Sequence, residues 1–303
     1  MKLLRIGTRG SALARRQADA VSTALSGAFN TTTVIIESQG DLDLSTPLWH
    51  FDGVGVFSAA LDRALLEKQI DIAVHSMKDV PTTMPEGLCI MAVLPRGSVH
   101  DTIIMASPTL LLEAMQQRLT IGTSSRRRSA QWLHRYPHHT TVPLRGNIAT
   151  RLSYLERGTM DGIIMAEAAL QRLNLTPQTM KRIDWMIPAP SQGAICIVGR
   201  ISDQNIADAL LILNDPVTAL ATTLERTFLA ALDGGCSSAI GAIATVDKLT
   251  VSMKCTIHNA DGSKAVEVSG TAARTSAHTL VADLVQQALR SGARALVSVA
   301  RNV

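Results

Sequence analysis

Short apolar runs alternate with helically spaced apolar residues along the first two thirds of the chain, a pattern typical of strands that alternate with helices. Residues 3–8 form such a run, and the helix predicted after them begins behind Ser11, a favourable N-cap residue. Residues 55–69 have the spacing of a second helix, and residues 70–77 form a nearly continuous apolar strand of the kind buried in a parallel sheet. This alternation predicts an α/β domain.

The same pattern then starts again. Residues 119–135 repeat the arrangement of residues 4–17, in which Ile-Gly-Thr leaves a strand and small polar residues open a helix. Residues 140–158 and 161–173 follow with a strand and a helix in the same order, and the strand predicted at 194–200 returns to the first lobe. We therefore predict two related α/β lobes with a cleft between them.

The chain changes character from about Pro216. A helix at 218–232 precedes three stretches that alternate like strands, and an Asp-Gly turn separates the last two stretches. A final helix at 277–292 ends at Gly292. These features predict a small third domain that combines helices with an antiparallel sheet.

Composition narrows the kinds of function that need to be considered. The 303 residues suffice for two or three domains, and 3% aromatic residues are too few for a platform that stacks single-stranded nucleic acid. No apolar run reaches the roughly 20 residues of a membrane span, and the N-terminus lacks a signal peptide's apolar core, so we expect a cytosolic protein. The four cysteines lack the spacing of zinc ligands, and no metal site is expected.

Arginines cluster where predicted strands lead into helices. The three residues Arg126–Arg128 lie in the first turn of a helix, where the helix dipole disfavours cations unless a polyanion docks there. Taken alone, this run is equally consistent with a solvated charged surface. Arg9 and Arg145 occupy comparable junctions with Arg151 shortly after, and such junctions face the ligand crevice of open α/β sheets. Because arginine binds carboxylates bidentately, we expect a cleft for a ligand with several carboxylates.

The end of the buried strand carries a further candidate. Asp79 is placed to bind ligand N–H groups and stabilise positive charge, although it is also suited to pair with Lys78 at the strand end. His75 within the strand is expected to be a satisfied core histidine, and the pair at 138–139 is expected to lie on the surface.

Cys236 differs from the other cysteines, which lie in predicted strands, because it occupies a bend between glycines and serines. An accessible thiol of this kind is a nucleophile, a redox group or an inert small residue. Beside a cleft for anions, it suggests a covalent tether that reaches into the cleft.

Six motifs occur in order over essentially the whole chain: IGTRGSALARRQA, DIAVHSMKDVP, IGTSSRRRSAQ, LRGNIATRL, DGIIMAEAALQRL and LDGGC. Together they resemble the porphobilinogen deaminase (hydroxymethylbilane synthase) family. The resemblance implies two lobes like those of periplasmic binding proteins and a C-terminal α+β domain with a three-stranded antiparallel sheet. The first lobe would comprise residues 1–97 and 193–214, the second residues 98–192, and the C-terminal domain residues 215–303.

The resemblance also implies an activity, that of a cytosolic, monomeric transferase of haem and other tetrapyrrole biosynthesis. The family joins four porphobilinogen molecules onto a dipyrromethane cofactor, releases ammonia at each addition and finally releases hydroxymethylbilane. Here Asp79 would be catalytic and Cys236 would hold the cofactor through a thioether, with neither nucleic acid nor membrane as a partner. Further cofactor-binding residues would be Lys78, Thr123, Ser124, Ser125, Arg127, Arg128, Arg145 and Arg151. Substrate-binding residues would be Arg9, Ser11, Gln17 and Arg172.

The sequence departs from the family's pattern in the lid segment. The family usually has lysines where Val54 and Ala59 stand and an acidic residue where Ala60 stands, and Ser191 stands where glycine is common. Either the arginines suffice without these lysines, or the chain is a paralogue with impaired or altered elongation. A non-catalytic small-anion-binding protein of the same two-lobed fold is a second alternative, and nucleic-acid binding through residues 124–129 is a third.

Overall fold

The computed structural model describes residues 3–38, 55–109, 117–234 and 238–299. Two residues singled out from the sequence, Val54 of the lid and Cys236, lie outside these described ranges.

The first lobe is organised by a five-stranded sheet. Its strands are β1 (Leu3–Thr8), β2 (Asn30–Ile35), β3 (Ile72–Ser76), β4 (Leu88–Val93) and β10 (Ile195–Arg200). They lie in the order β2-β1-β3-β10-β4, with β1 parallel to β2 and β3, and β10 antiparallel to β3 and β4. The predicted return of residues 194–200 to the first lobe is confirmed.

The second lobe repeats this arrangement. Its strands are β5 (Asp101–Met105), β6 (Thr120–Gly122), β7 (Thr140–Val142), β8 (Gly162–Ala166) and β9 (Met180–Ile183). They lie in the order β7-β6-β8-β5-β9, and β5 is the strand antiparallel to its neighbours, as β10 is in the first sheet. The two related α/β lobes predicted from the repeated pattern are therefore present.

A three-stranded antiparallel sheet forms the C-terminal domain, as predicted. Its strands are β11 (Ile240–Val246), β12 (Thr250–His258) and β13 (Ala265–Ala273), in that order. The turn between β12 and β13 contains Gly262 at φ +74°, in the left-handed region that glycine adopts readily. Leu224 and Phe228 on one helix and Leu284 on another belong to the buried core of this domain.

Helices follow the strands in both lobes and cover the third sheet. They are α1 (Ala12–Leu25), α2 (Ala59–Leu66), α3 (Arg126–Arg135), α4 (Ile148–Glu156), α5 (Glu167–Arg172), α6 (Gln204–Leu210), α7 (Pro216–Ala231), α8 (Ala277–Arg290) and α9 (Ala293–Val299). Ser11, Ser125, Asn147 and Asp215 each accept a hydrogen bond from a backbone N–H in the first turn of α1, α3, α4 and α7. No helix in the described ranges is long and apolar enough to cross a membrane.

Glu225 of α7 joins the three parts of the chain. Its buried carboxylate accepts two hydrogen bonds from Arg96, at 2.7 and 2.9 Å, where the chain leaves the first lobe. It also accepts the backbone N–H of Ser191 at the second crossover and that of Ala244 in β11 at 2.8 Å. A single side chain therefore holds both crossovers against the C-terminal domain.

The backbone at Ser191 explains why glycine suits this position. Ser191 has φ +64°, in the left-handed region, and its side chain is fully buried. Its hydroxyl has no hydrogen-bond partner among the described residues. The serine is therefore strained and leaves a buried polar atom unsatisfied.

Candidate active site

Asp79 lies in a turn that follows β3. The strand ends at Ser76, and residues Met77–Asp79 form one turn of 3-10 helix, so the structure corrects the prediction that Lys78 and Asp79 end the strand itself. The buried Met77 anchors this turn, and its N–H donates to the carbonyl of Ala194 at 3.0 Å. Among the described residues, the Asp79 carboxylate makes neither a hydrogen bond nor an ion pair within the structure, so it remains available for a ligand.

Lys78 is linked to the second lobe through Gln192. The Lys78 ammonium donates to the Gln192 side-chain oxygen at 3.3 Å, and the buried Gln192 amide donates to Val99 O and Asp101 Oδ1 at 2.8 and 3.1 Å. Burial, followed by repulsion from Arg128, lowers the pKa of Lys78 to about 8. The cationic groups of the two lobes thus meet at the crossover that contains Gln192.

Asp101, which the sequence did not single out, organises the paired arginines. Its buried carboxylate accepts from Arg127 at 2.7 Å and from Arg128 Nε at 2.8 Å. Burial alone would raise the pKa of Asp101, but the two arginines hold it far below its usual range. Arg127 also donates to Ile187 O and Arg128 to Ile164 O. Asp101 therefore fixes the orientation of both guanidinium groups.

The other cleft arginines lie close enough to repel one another. Burial lowers the pKa of Arg151 to about 10, and the neighbouring charges of Arg128, Arg145 and Arg9 add to this shift, while that of Asp79 opposes it. These mutual effects bring the predicted cations and Asp79 into one site. The cations outnumber the carboxylates, so the site is electrostatically suited to a polyanion.

The predicted substrate-binding residues are distributed along the same crevice. The Arg9 guanidinium lies 4.0 Å from the centre of the Phe57 ring, within the lid segment. Gln17 donates to Ser76 at 2.8 Å, beside the turn that carries Asp79. Arg172 donates to Gly193 O at 2.6 Å, so it lies at the crossover between the lobes. Ser11 is engaged as the N-cap of α1.

The turn formed by residues 123–125 uses its hydroxyl groups internally. Ser124 Oγ accepts from the N–H of Leu144 at 2.8 Å and donates to the carbonyl of Leu144 at 2.6 Å. Thr123 Oγ1 accepts the N–H of Ser125, which in turn caps α3. These bonds shape the turn and place the first residues of α3 at the cleft.

Two histidine predictions need correction. His75 is buried as expected, but its Nε2 has no hydrogen-bond partner among the described residues, so it is not a satisfied core histidine. Burial, followed by repulsion from Arg9, lowers its pKa to about 4. His138 is exposed, whereas His139 is buried and its Nδ1 accepts from the Trp132 indole at 3.1 Å.

The lid replacements within the described residues are on and near the protein surface. Ala59 is exposed at the first residue of α2, and Ala60 is half-buried beside it. Leu61 and Leu65 supply the buried face of this helix. The replacements therefore alter surface charge while the core contacts of α2 are formed by other residues.

The donor set fits a group with several carboxylates, such as a dipyrromethane with acetate and propionate arms. Arg127 Nε is buried and has no hydrogen-bond partner among the described residues, so an acceptor is still needed there. The mutual repulsion of Arg151 and its neighbouring arginines also favours the binding of an anion there.

Comparison with protein families distinguishes the deaminase interpretation from two of the alternatives. The model described as porphobilinogen deaminase, dipyromethane cofactor binding domain, matches residues 4–208, and the model of the porphobilinogen deaminase C-terminal domain matches residues 219–290. The chain belongs to the porphobilinogen deaminase family. This membership favours the deaminase interpretation over the small-anion-binding and nucleic-acid-binding alternatives.

Relatives in the deaminase family match most of the chain. The chloroplastic porphobilinogen deaminase of Oryza sativa subsp. japonica is 41% identical over 89% of this chain and 78% of its own length. That of Pisum sativum is 44% identical over 81% of this chain and 69% of its own length. The porphobilinogen deaminase of Syntrophotalea carbinolica is 37% identical over 96% of this chain and 93% of its own length.

The likeness to solved structures is more distant. A periplasmic binding protein of Salmonella typhimurium with high arginine specificity has a TM-score of 0.41 at 12% identity, over 72% of this chain and 94% of its own. A probable amino-acid transporter binding protein of Bacillus subtilis has a TM-score of 0.43 at 12% identity, over 76% and 97%.

Proposed function

We propose that this chain is a hydroxymethylbilane synthase that deaminates four porphobilinogen molecules and joins them head to tail. The observation that carries the proposal is the uncommitted carboxylate of Asp79 within a cleft whose cations outnumber its carboxylates. Porphobilinogen has two carboxylate arms, a pyrrole N–H and an amine that leaves as ammonia. Its carboxylates match the cations, while its N–H group and the positive charge developed on loss of ammonia match Asp79.

Different cleft residues are assigned to binding the carboxylates and to stabilising positive charge. We assign the orientation of the paired arginines to Asp101. The carboxylate arms of a dipyrromethane are assigned to Lys78, Arg127, Arg128, Arg145 and Arg151. When bound, the dipyrromethane supplies the pyrrole end to which new units are joined. Asp79 accepts hydrogen bonds from pyrrole N–H groups and offsets positive charge in the cleft. Arg9, Ser11, Gln17 and Arg172 are assigned to the incoming substrate.

We also propose that a thioether to Cys236 holds the dipyrromethane. The other described cysteines are less suitable attachment points, because burial raises the pKa of their thiols, that of Cys196 and Cys255 to about 12 and that of Cys89 in the same direction. A protonated, buried thiol is a poor nucleophile. The position of Cys236 in the LDGGC motif supports this assignment. We further propose that the protein is cytosolic and monomeric. Light scattering of the purified protein tests whether it is a monomer.

Intact-mass spectrometry before and after addition of porphobilinogen tests the function. The wild type should carry the mass of a dipyrromethane adduct, and a Cys236→Ala variant should lack it, whereas the matched Cys89→Ala variant should retain it. Asp79→Asn should keep the fold and lose turnover. A folded wild type that gains no adduct and forms no hydroxymethylbilane would refute the proposal. Accumulated adducts of intermediate mass would identify the elongation-impaired paralogue instead.

A further inference from the structure

Arg226 of α7 connects the C-terminal domain to the segment directly after Asp79. One terminal nitrogen of its guanidinium donates to the carbonyl of Val80 at 2.8 Å, and the other donates to the carbonyl of Pro81. Val80 also closes the 3-10 turn, since its N–H donates to Met77 O at 3.1 Å. Arg226 therefore holds the chain at the point where it leaves the turn that carries Asp79.

Packing holds this segment on the side of the first lobe, where Met77 and Val80 belong to a buried core cluster. A cavity of about 500 Å³ lies between the segment, β4 and α7, and it is lined by Met77, Thr82, Thr223 and Arg226 among others. Hydrogen bonds from a charged donor are about twice as strong as neutral ones. The two bonds from Arg226 are therefore the main restraint on the segment from the side of α7.

Arg226 and Asp79 are also electrostatic neighbours. Burial raises the pKa of the Cys196 thiol in β10 to about 12, and the charges of Arg226 and Asp79 act on that same thiol with opposite sign. Cys196 pairs with His75 of β3, just before the turn. The Arg226 guanidinium and the Asp79 carboxylate thus both lie near Cys196 of β10.

We propose that Arg226 is a positioning residue for Asp79, which it acts on by holding the carbonyls of Val80 and Pro81. The inference rests on the proposed function in that Asp79 is the catalytic residue. It gives the C-terminal domain a second role besides carrying the LDGGC loop, because α7 leads directly into that loop. One helix then connects the proposed attachment point with the catalytic carboxylate.

Hydrogen exchange combined with steady-state kinetics tests this role in the full-length, adduct-carrying protein. In Arg226→Gln, amides of residues 77–84 should exchange about 10-fold faster, because the two bonds that restrain the segment are lost. We expect kcat to fall about 10- to 100-fold with KM changed less than about 2-fold, because the loss concerns orientation and not binding. Arg226→Lys, which keeps the charge but has a single donor nitrogen in place of the guanidinium fork, should give intermediate values of both. If Arg226→Gln does not fold, Arg226→Lys alone decides.

Arg200 provides a matched control. Its guanidinium also donates to two backbone carbonyls of the first lobe, those of Leu65 and Ile70, at 2.6 and 2.8 Å. Arg200→Gln should lower the melting temperature and leave both kcat and the exchange of residues 77–84 unchanged. Unchanged exchange of that segment in the Arg226 variants, or faster exchange with normal kcat, overturns the proposal. A wild type without turnover refutes the proposed function, while the exchange measurement still decides whether Arg226 holds the segment.

Discussion

Replacing Asp101 with asparagine should separate the structural from the ligand-binding role of the paired arginines. Asn keeps the shape of the side chain and removes the charge that both Arg127 and Arg128 contact, at 2.7 and 2.8 Å. Each pair is worth about 4 kcal/mol at a charge separation of about 4 Å and an effective permittivity of about 20. Desolvation of the fully buried carboxylate offsets part of this gain. Breaking such a buried pair costs about 3–5 kcal/mol of unfolding free energy.

Anions should restore stability to this variant more than to the wild type. Without Asp101, the repulsion between Arg127, Arg128 and Lys78 is no longer compensated, so a bound polycarboxylate replaces the missing charge. Urea denaturation of the adduct-free Cys236→Ala protein, with and without Asp101→Asn, measures both effects. Citrate should raise the unfolding free energy of the double variant by at least about 1 kcal/mol more than that of the single variant.

The control for this experiment is an ion pair of the same chemistry near the surface. Arg5 pairs with Asp71 at 2.8 Å; the two side chains are 36% and 16% exposed, and Arg200 lies 3.6 Å from Asp71 as a second cation. Asp71→Asn should therefore cost less than Asp101→Asn, about 1–2 kcal/mol, with no specific rescue by citrate. An equal loss in the Asp101 and Asp71 variants, or equal rescue of both, would refute the assignment of Asp101 as the organiser of the arginines.

Two further predictions concern stability. Ser191→Gly should raise the unfolding free energy by about 1 kcal/mol in urea denaturation, because it removes left-handed strain and an unsatisfied hydroxyl. The contrasting Gly193→Ala, whose added carbon would lie 2.6 Å from Ser98 O, should destabilise the protein, and the same sign for both would contradict this account. Lys78→Met should stabilise the adduct-free protein at pH 7. This advantage should shrink between pH 8 and 10.5, where the folded parent has released a proton that its unfolded chain retains, and a constant advantage would be inconsistent with the lowered pKa.

Local patterns were sufficient to predict most of the fold. Apolar periodicity and small polar caps act within a few residues, so the strand at 70–77 and the helix after Ser11 could be recognised directly. The repeat of residues 4–17 at 119–135 added the second lobe. The end of β3 was placed too late, because the apolar Met77 continues the strand pattern while its backbone already turns.

Contacts between distant segments could not be predicted in this way. Asp101 is a single acidic residue at the start of a strand, and its arginine partners meet it only because the sheet brings α3 to the start of β5. Gln192 likewise acquires its role from the crossover between the lobes. His139 gave no signal that distinguished it from His138, since its burial depends on the Trp132 indole.

The two carboxylates of the cleft have different environments, and this difference supports their different assignments. Asp101 is buried and committed to two arginines, which keep it ionised and hold it in place. Asp79 lies at the end of a short turn without a side-chain partner among the described residues, although the charge of Arg151 reaches it. A committed carboxylate organises a site, whereas an uncommitted one among cations is free to bind a ligand's N–H groups and positive charge. The proposed function therefore requires both: Asp101 orients the cations assigned to the carboxylates, and Asp79 is assigned to the reacting pyrrole.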